Sequence, residues 1–186
     1  MYLVALVGMA GAGKSEVANF FSQTGYIKIR FGDITEDEVN RRGLVLNEEN
    51  ERRIREGFRQ DYGMAAFAIL NLPKIDQALN DGHKVVVDGL YSWEEYGVLR
   101  EHFASQLKIL AVYSSPATRY ARLGHRTHRP LTSEQAFSRD NAEIENINKG
   151  GPIAMADHTI INEGSMTELE ACVKYIINKL EQNNGK

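Results

Sequence analysis

Gly8-Met9-Ala10-Gly11-Ala12-Gly13-Lys14-Ser15 is the stretch that decides the fold of this 186-residue chain. It fits the pattern G-x-x-x-x-G-K-[ST] of a phosphate-binding loop. Its glycines allow backbone N–H groups to point inward and allow a polyphosphate to approach closely. We expect Lys14 to reach the outer phosphates and the hydroxyl of Ser15 to complete the coordination shell of Mg²⁺. The motif therefore predicts a site for ATP and Mg²⁺, formed by Gly8, Met9, Ala10, Gly11, Ala12, Gly13, Lys14, Ser15 and Glu16.

The residues on both sides of the loop predict a strand and a helix. Leu3–Val7 is a continuous apolar run, typical of a parallel strand that is buried on both faces. After the loop, Val17, Phe20 and Phe21 are spaced for one face of a helix, which Gly25 can end. Such a helix directs the positive end of its dipole at bound phosphate. A chance glycine-rich turn would not require this order of strand, loop and helix.

The composition is that of an ordinary soluble globular protein, with 42% hydrophobic and 25% charged residues. The length predicts one domain over residues 1–186. The net charge of −3 gives no support for nucleic-acid or anionic-membrane partners, and no apolar run approaches membrane-spanning length. The first strand begins without a basic segment before it, which argues against a signal peptide and for a cytoplasmic protein. The composition leaves the oligomeric state open.

The single cysteine excludes an intramolecular disulfide and fits a reducing compartment. Cys172 falls within a predicted helix from Thr167 to Leu180, on the same face as Leu169 and Val173. We therefore expect it to be buried by packing rather than to be a reactive thiol.

Further apolar runs alternate with helical segments, and they predict strands at Tyr26–Phe31, Lys84–Asp88, Leu107–Tyr113 and His158–Ile161. A helical pattern from Thr35 to about Leu79 has predicted breaks at Gly43, Gly63 and Pro73, and Gly150-Gly151-Pro152 is predicted to break a later helix that runs to about Ile147. Strands separated by helices predict an α/β fold whose parallel sheet is covered on both faces.

Two aspartates are predicted at the carboxyl edge of this sheet, where parallel sheets bind ligands. Asp88 ends an apolar strand and is a candidate ligand of Mg²⁺, although aspartates also occur there as turn or capping residues. Asp33 follows the second strand and is a candidate to accept a proton from an acceptor hydroxyl or to orient it. The alternative for Asp33 is a simple Gly-Asp turn.

A basic segment follows the fourth predicted strand, and it contains Arg119, Arg122, Arg126, Arg129 and Arg139 together with His125 and His128. Gly124 and Pro130 bracket a stretch that is not expected to be helical. The segment predicts a lid at about residues 123–133 that closes over the triphosphate and supplies Arg122 and Arg126 to the transition state. The alternative is a solvated basic face. The two histidines have no third ligand nearby, so they do not indicate a zinc site.

The arginine-rich and glutamate-rich stretch after Asp33 is mainly expected to be an exposed, charge-paired helical surface. Arg59 is the best candidate there to meet an acceptor, because the apolar pattern resumes just after it. Tyr91 and Trp93 follow Asp88 and are candidates to stack on an acceptor ring, with ordinary packing as the alternative.

The chain as a whole resembles the nucleoside-monophosphate-kinase-like branch of P-loop proteins. It is most similar to dephospho-CoA kinases and to small adenylate-kinase-related ATPases of archaea and bacteria. The resemblance covers nearly the whole chain, and it is carried by the loop, Gly32-Asp33, Val87-Asp88-Gly89 with Ser92, Ser115–Arg119 with Arg122, Arg139-Asp140 and Ala156–Ser165.

The resemblance implies a three-layer fold with a five-stranded parallel sheet of order 2-3-1-4-5, an acceptor-binding helical region at about 33–82 and a short lid. It also implies contacts of Arg119 and Arg122 with the nucleotide, and a role beside the adenine base for Asn162 and Gly164. The chain departs from the family at Glu36 and Tyr91, where related kinases carry arginine. These two departures argue against AMP as the acceptor.

Two functions are consistent with these residues. The first is an ATP-dependent kinase whose acceptor is a small nucleotide-like molecule, such as dephospho-CoA or a nucleoside monophosphate. The second is a regulatory or binding module that hydrolyses ATP slowly and has no small-molecule acceptor. The sequence does not identify the acceptor, and it does not choose with certainty between ATP and GTP.

Overall fold

The computed structural model describes residues 1–127 and 130–183, and its centre is a parallel sheet of five strands. The strands are β1 (Leu3–Val7), β2 (Ile27–Arg30), β3 (Val85–Asp88), β4 (Leu107–Tyr113) and β5 (His158–Ile161). Their order is β2-β3-β1-β4-β5, and every pair is parallel. The predicted sheet and its strand order are therefore confirmed. All of β1 and β3 is buried, because helices cover both faces of the central strands.

Nine α-helices accompany the sheet in the described ranges. They are α1 (Lys14–Gln23), α2 (Asp33–Arg41), α3 (Glu48–Tyr62), α4 (Ala66–Asn80), α5 (Trp93–Phe103), α6 (Pro116–Gly124), α7 (Ser133–Glu145), α8 (Gly150–Ala154) and α9 (Met166–Asn183). Short 3₁₀ turns follow α3 at Gly63–Ala65 and α5 at Ala104–Gln106. Capping boxes begin α5 at Ser92 and α7 at Thr132, as the positions of Glu95 and Gln135 allow.

Each face of the sheet has its own hydrophobic core. On one face, residues of α4 and α5 such as Ile75 and Leu99 pack on the odd-numbered side chains of β1. On the other face, Phe21 of α1 and Val173 of α9 pack against Val4 and its neighbours. Strand residues with alternate parity serve the two cores because successive side chains point to opposite faces. The result is a three-layer arrangement of helices, sheet and helices.

The structure corrects two predicted helix breaks. Pro73 lies inside α4 and does not end it. Proline in a helix interior costs about 3 kcal/mol, and the burial of Phe67, Ala68 and Ile75 against the sheet holds the helix together. Gly150-Gly151-Pro152 begins the short helix α8, while α7 already ends at Glu145. Gly43 and Gly63 do follow helix ends, with φ angles of 65° and 72°.

Cys172 is exposed, so the prediction that packing buries it is wrong. The buried stripe of α9 contains Leu169, Val173, Ile177 and Leu180. Cys172 precedes Val173 by one position, and the rotation of the helix about its axis turns it outward.

No helix in the described ranges is long and apolar enough to cross a membrane. Of the segment predicted as a lid, residues 123–127 and 130–133 are described, while His128 and Arg129 lie outside the described residues.

Candidate active site

The phosphate-binding loop connects β1 to α1 and is packed closely from behind. Gly8, Gly11 and Gly13 have φ angles of 150°, 81° and 96°, a region that side chains strongly disfavour. A Cβ atom at Gly11 would lie 2.8 Å from the carbonyl oxygen of Arg119, and one at Gly8 would collide with the carbonyl of Val112. The glycines therefore allow both the turn itself and its contact with β4 and α6.

Lys14 and Ser15 begin α1, so their amide groups have no acceptor within the helix. The ammonium of Lys14 donates to the carbonyl oxygens of Gly8 at 2.8 Å and Met9 at 3.1 Å. Burial, followed by the charge of Lys149, lowers the pKa of Lys14 to about 7. An anion that accepts from the loop amides would favour the charged form of this lysine. This geometry is compatible with phosphate binding, which stays a prediction of the motif.

Arg119 lies behind the loop rather than in front of it. Its guanidinium forms a bidentate pair with Asp140, at 2.8 and 2.6 Å, and donates to the carbonyls of Ala10 at 3.2 Å and Ser114 at 3.1 Å. Arg119 and Asp140 are 4% and 6% exposed. The guanidinium contacts the loop backbone, and its predicted direct contact with nucleotide stays a prediction.

Arg122 and Asn162 meet on another side of the loop. Asn162 donates to the carbonyl of Ala12 at 2.9 Å, and Arg122 donates to the hydroxyl of Ser114 at 3.0 Å and approaches the amide oxygen of Asn162 at 3.5 Å. Gly164 lies nearby in the chain and is exposed. These residues are together, where the resemblance puts the adenine base, but none of them lines the cavity described next.

A cavity of about 570 Å³ opens at the carboxyl edge of the sheet, in front of the loop. It brings together predicted site residues from four separate stretches of chain, namely Ala10, Gly11, Lys14, Ser15, Arg59, Asp88, Tyr91 and Arg126. Gathering at this edge is the expected consequence of a parallel sheet. The predicted acceptor and lid residues Arg59, Tyr91 and Arg126 therefore share one site with the loop.

Ser15 and Asp88 line this cavity and are oxygen ligands that could hold Mg²⁺. Asp88 ends β3 and is 5% exposed, whereas Ser15 is exposed. No group of three or more His, Cys, Asp or Glu side chains in the described ranges could hold a metal ion. A hydroxyl and a single carboxylate fit Mg²⁺, which usually takes one or two protein ligands and completes its shell with phosphate oxygens and water.

Asp33 begins α2, and its carboxylate is paired with an arginine. Arg30 donates to Asp33 at 2.6 Å and also pairs with Glu36. Arg30 and Glu36 line the cavity, whereas Asp33 does not. The acid at Glu36 thus forms an ion pair with an arginine from β2 at the cavity wall.

Two buried polar atoms of residues that line the cavity have no hydrogen-bond partner in the described part of the chain. They are the Nε atom of Arg59 and the hydroxyl of Thr35, which is 3% exposed as a residue. The guanidinium of Arg59 lies 5.9 Å from the centre of the Phe67 ring. Buried polar groups are nearly always paired, so both atoms are suited to a ligand.

Sequence reasoning missed Lys149, Glu143 and Glu95. Lys149 and Glu143 line the cavity and form an ion pair at 2.8 Å. Glu95 is 1% exposed and accepts from the backbone N–H groups of Tyr91 at 2.7 Å and Ser92 at 3.3 Å. Burial raises the pKa of Glu95 to about 7. The capping-box pattern was the only sequence signal for Glu95, and no local pattern marks Lys149.

The fold and the loop define the class of this protein, which is a P-loop protein with the fold of small kinases. A family model described as an AAA domain matches residues 4–148. A UPF0200 protein of Thermococcus gammatolerans is 37% identical over 181 residues, covering 96% of this chain and 95% of that protein. One from Thermococcus kodakarensis is 36% identical, covering 96% and 97%. The chain belongs to this AAA-domain family and to the UPF0200 proteins.

Three solved structures with a similar fold carry the names of kinases. A gluconokinase from Sinorhizobium meliloti 1021 has a TM-score of 0.61 at 18% identity, with 98% of this chain and 94% of that chain covered. A shikimate kinase from Bacteroides thetaiotaomicron has a TM-score of 0.63 at 13% identity, with 97% and 98% covered. A dephospho-CoA kinase from Campylobacter jejuni has a TM-score of 0.60 at 14% identity, with 98% of each chain covered. At these sequence identities, the structural similarity shows a shared fold alone.

Proposed function

We propose that this protein is an ATP-dependent kinase that transfers a phosphoryl group to a small nucleotide-like acceptor. The observation that carries the proposal is the shared cavity, whose lining includes Lys14, Ser15 and Asp88 together with Arg126 and Arg59. A nucleotide-binding module without chemistry would need the loop, but it would not need unpartnered polar groups beyond it. The kinase folds of the structural neighbours also support the proposal of a kinase.

The residues of the loop bind and orient the triphosphate in this proposal. The amides of Lys14 and Ser15 and the ammonium of Lys14 donate to phosphate oxygens, and Arg119 holds the loop in shape from behind. Ser15 and Asp88 would hold Mg²⁺, which supplies neutralisation of charge on the phosphates. Arg126 lies at the cavity and is placed to donate to the oxygens that gain charge as the phosphoryl group moves.

The acceptor is proposed to lie against Arg59, Thr35 and Tyr91. Arg59 and Thr35 offer buried donors that have no partner among the described residues, which suits an acceptor that carries an anionic group and hydroxyl groups. Asp33 stays the candidate to orient an acceptor hydroxyl, and it must exchange its contact with Arg30 to do so. Dephospho-CoA and nucleoside monophosphates other than AMP both fit these requirements.

A second candidate is a regulatory ATPase without a small-molecule acceptor. The observation that favours it is the internal pairing of acceptor-side arginines. Arg30 pairs with Asp33 and Glu36, and Arg55 pairs with Glu48 at 2.7 Å and Glu51 at 3.2 Å. Arginines held in this way have less capacity for an acceptor phosphate. Affinity for a partner protein that is equal in the ATP, ADP and empty states would exclude this function.

The test is incubation of the purified protein with Mg·ATP and a panel of dephospho-CoA and nucleoside monophosphates, with products identified by mass spectrometry. Ligands that raise the unfolding temperature select the panel beforehand. Arg59→Met should raise KM for the true acceptor about tenfold or more with KM for ATP unchanged, since a charged hydrogen bond is lost. Arg52→Met is the matched control, because Arg52 lies on the same helix and pairs with Glu56 outside the cavity. Absence of any phosphorylated product would exclude the kinase.

A further inference from the structure

Lys149 is buried beside the proposed site of phosphoryl transfer. It lies between α7 and α8, its side chain is 1% exposed, and it lines the same cavity as Lys14 and Asp88. Asn148, directly before it, has a φ angle of 50°, a left-handed conformation that few residues other than glycine adopt. The backbone turn at Asn148 thus precedes a lysine that is turned into the cavity instead of into solvent.

The ammonium of Lys149 has two neighbours at the cavity wall. It donates to Glu143 at 2.8 Å and lies 5.3 Å from the centre of the Tyr91 ring. Glu143 is shared, because Arg139 donates to its other oxygen at 3.1 Å. One carboxylate therefore serves two cations, and the aromatic ring serves Lys149 only as a weak partner.

Positive charge exceeds negative charge around the cavity. Among the described side chains that line it, seven are cations (Lys14, Arg30, Arg55, Arg59, Arg126, Arg139 and Lys149) and five are anions (Glu36, Glu48, Glu51, Asp88 and Glu143). Burial lowers the pKa of Lys149, and Lys149 in turn adds to the lowering of the pKa of Lys14. Burial disfavours the charged form of both lysines, so an anion bound between them would stabilise both.

We propose that Lys149 is a catalytic residue that binds the γ-phosphoryl group of ATP from the cavity wall that carries Tyr91, while Lys14 binds it from the loop. This inference rests on the proposed function. In the transfer, the bond between the γ-phosphorus and the bridging oxygen breaks, and ADP keeps the electron pair. A bond forms between the γ-phosphorus and the acceptor oxygen, and any proton on that oxygen passes to Asp33 or to water.

Glu143 and the Tyr91 ring are positioning groups in this arrangement. They hold the ammonium of Lys149 at the cavity wall before ATP binds, so little reorganisation is needed when the phosphoryl group arrives. Stability alone does not account for the buried pair of Lys149 and Glu143. Replacing buried ion pairs by apolar residues of similar volume is often neutral or stabilising, so structural need by itself would favour an apolar contact here.

The test compares the affinities of ADP and of a non-hydrolysable ATP analogue, each with Mg²⁺, by titration calorimetry. Lys149→Met should weaken binding of the analogue about tenfold or more and leave ADP within twofold, because only the analogue carries a γ-phosphate. Lys14→Ala should weaken both ligands. Lys149→Arg should restore part of the affinity for the analogue, because a guanidinium keeps the charge.

Lys174→Met is the matched control. Lys174 is an exposed lysine of α9 that pairs with Glu170 at 2.7 Å, and its removal should change neither affinity. Glu143→Gln keeps a hydrogen-bond acceptor for Lys149 and should lower kcat more than it weakens binding of the analogue. If Lys149→Met does not fold, Lys149→Gln takes its place, since glutamine keeps a polar side chain without charge.

Equal effects of Lys149→Met on ADP and on the analogue, or no effect on either, would overturn the inference. An effect confined to KM of the acceptor would overturn it too, because Lys149 would then bind the acceptor and not the phosphoryl group. The calorimetric comparison needs no turnover. If the wild-type protein phosphorylates no acceptor, the proposed kinase fails, while the contrast between ADP and the analogue still decides the contact of Lys149 with the γ-phosphate.

Discussion

Removing the negative charge of Asp140 tests whether the buried pair behind the loop supports both the fold and nucleotide binding. Asp140→Asn keeps the shape of the side chain but leaves the guanidinium of Arg119 without a counter-ion. Arg119 and Asp140 have side-chain exposures of 5% and 9%, so solvent cannot replace the lost charge. Breaking a buried ion pair by removing one partner costs about 3–5 kcal/mol. We expect a loss of that size in the free energy of unfolding.

The loss should appear as a lower unfolding temperature. For a chain of this length, about 2–4 °C are lost for each kcal/mol, which gives a decrease of about 6–20 °C. Urea unfolding followed by circular dichroism and by the fluorescence of Trp93, the single tryptophan, measures the free energy directly. Nucleotide affinity should fall as well, because Arg119 also donates to the carbonyl of Ala10 in the loop.

Two further variants serve as controls for Asp140→Asn. Glu145→Gln removes an exposed carboxylate from the same helix and should change the free energy of unfolding by less than about 0.5 kcal/mol. The double variant Arg119→Met with Asp140→Leu leaves no unpaired charge, so it should regain most of the stability while nucleotide affinity stays reduced. A loss below about 1 kcal/mol in Asp140→Asn would refute the reasoning. So would a double variant whose losses are the sum of those of its two single variants.

Three other predictions concern the loop, the lid and the turn after β3. The pKa of Lys14 is about 7 without ligand and should rise when phosphate binds, so nucleotide affinity should be flat below pH 7 and fall above pH 7. Calorimetry over pH 6–9 should show this pH dependence in the wild type but not in Lys14→Ala. An identical pH profile in the two proteins would contradict the prediction. Arg126→Ala should lower kcat more than it lowers ATP affinity, and steady-state kinetics that stay at wild-type values would exclude the proposed role of the lid. Burial raises the pKa of Glu95 from its ordinary value of 4.5 to about 7 in the folded protein. The folded state therefore binds the carboxyl proton of Glu95 more tightly than the unfolded chain does. Stability should fall as the pH rises from 4.5 to 7. Glu95→Gln keeps an acceptor oxygen and should remove at most about 3 kcal/mol of this pH dependence of the unfolding free energy, measured by urea titrations. If the slope of the unfolding free energy against pH stays unchanged in Glu95→Gln, Glu95 does not titrate between pH 4.5 and 7.

The sequence by itself determined the features that are local in the chain. The loop from Gly8 to Ser15 is recognisable because phosphate binding needs adjacent backbone amides, glycines and a lysine at fixed spacing. The strands are recognisable because a strand buried on both faces needs a continuous apolar run, as in Val85–Asp88. The gathering of Asp88, Tyr91 and Arg126 at one edge then follows from the rules of parallel sheets.

Only the tertiary structure decided where individual side chains on the helices point. Arg119 and Arg122 are three residues apart on α6, yet one pairs with Asp140 behind the loop and the other meets Asn162. Lys149 is a surface residue by its chemistry, and it is buried because Glu143 and Tyr91 meet it from separate elements. The rotation of each helix and the pairing of charges depend on the packing of elements that are distant in the chain. Periodicity fixes which residues share a helix face, and only packing fixes which neighbour that face meets.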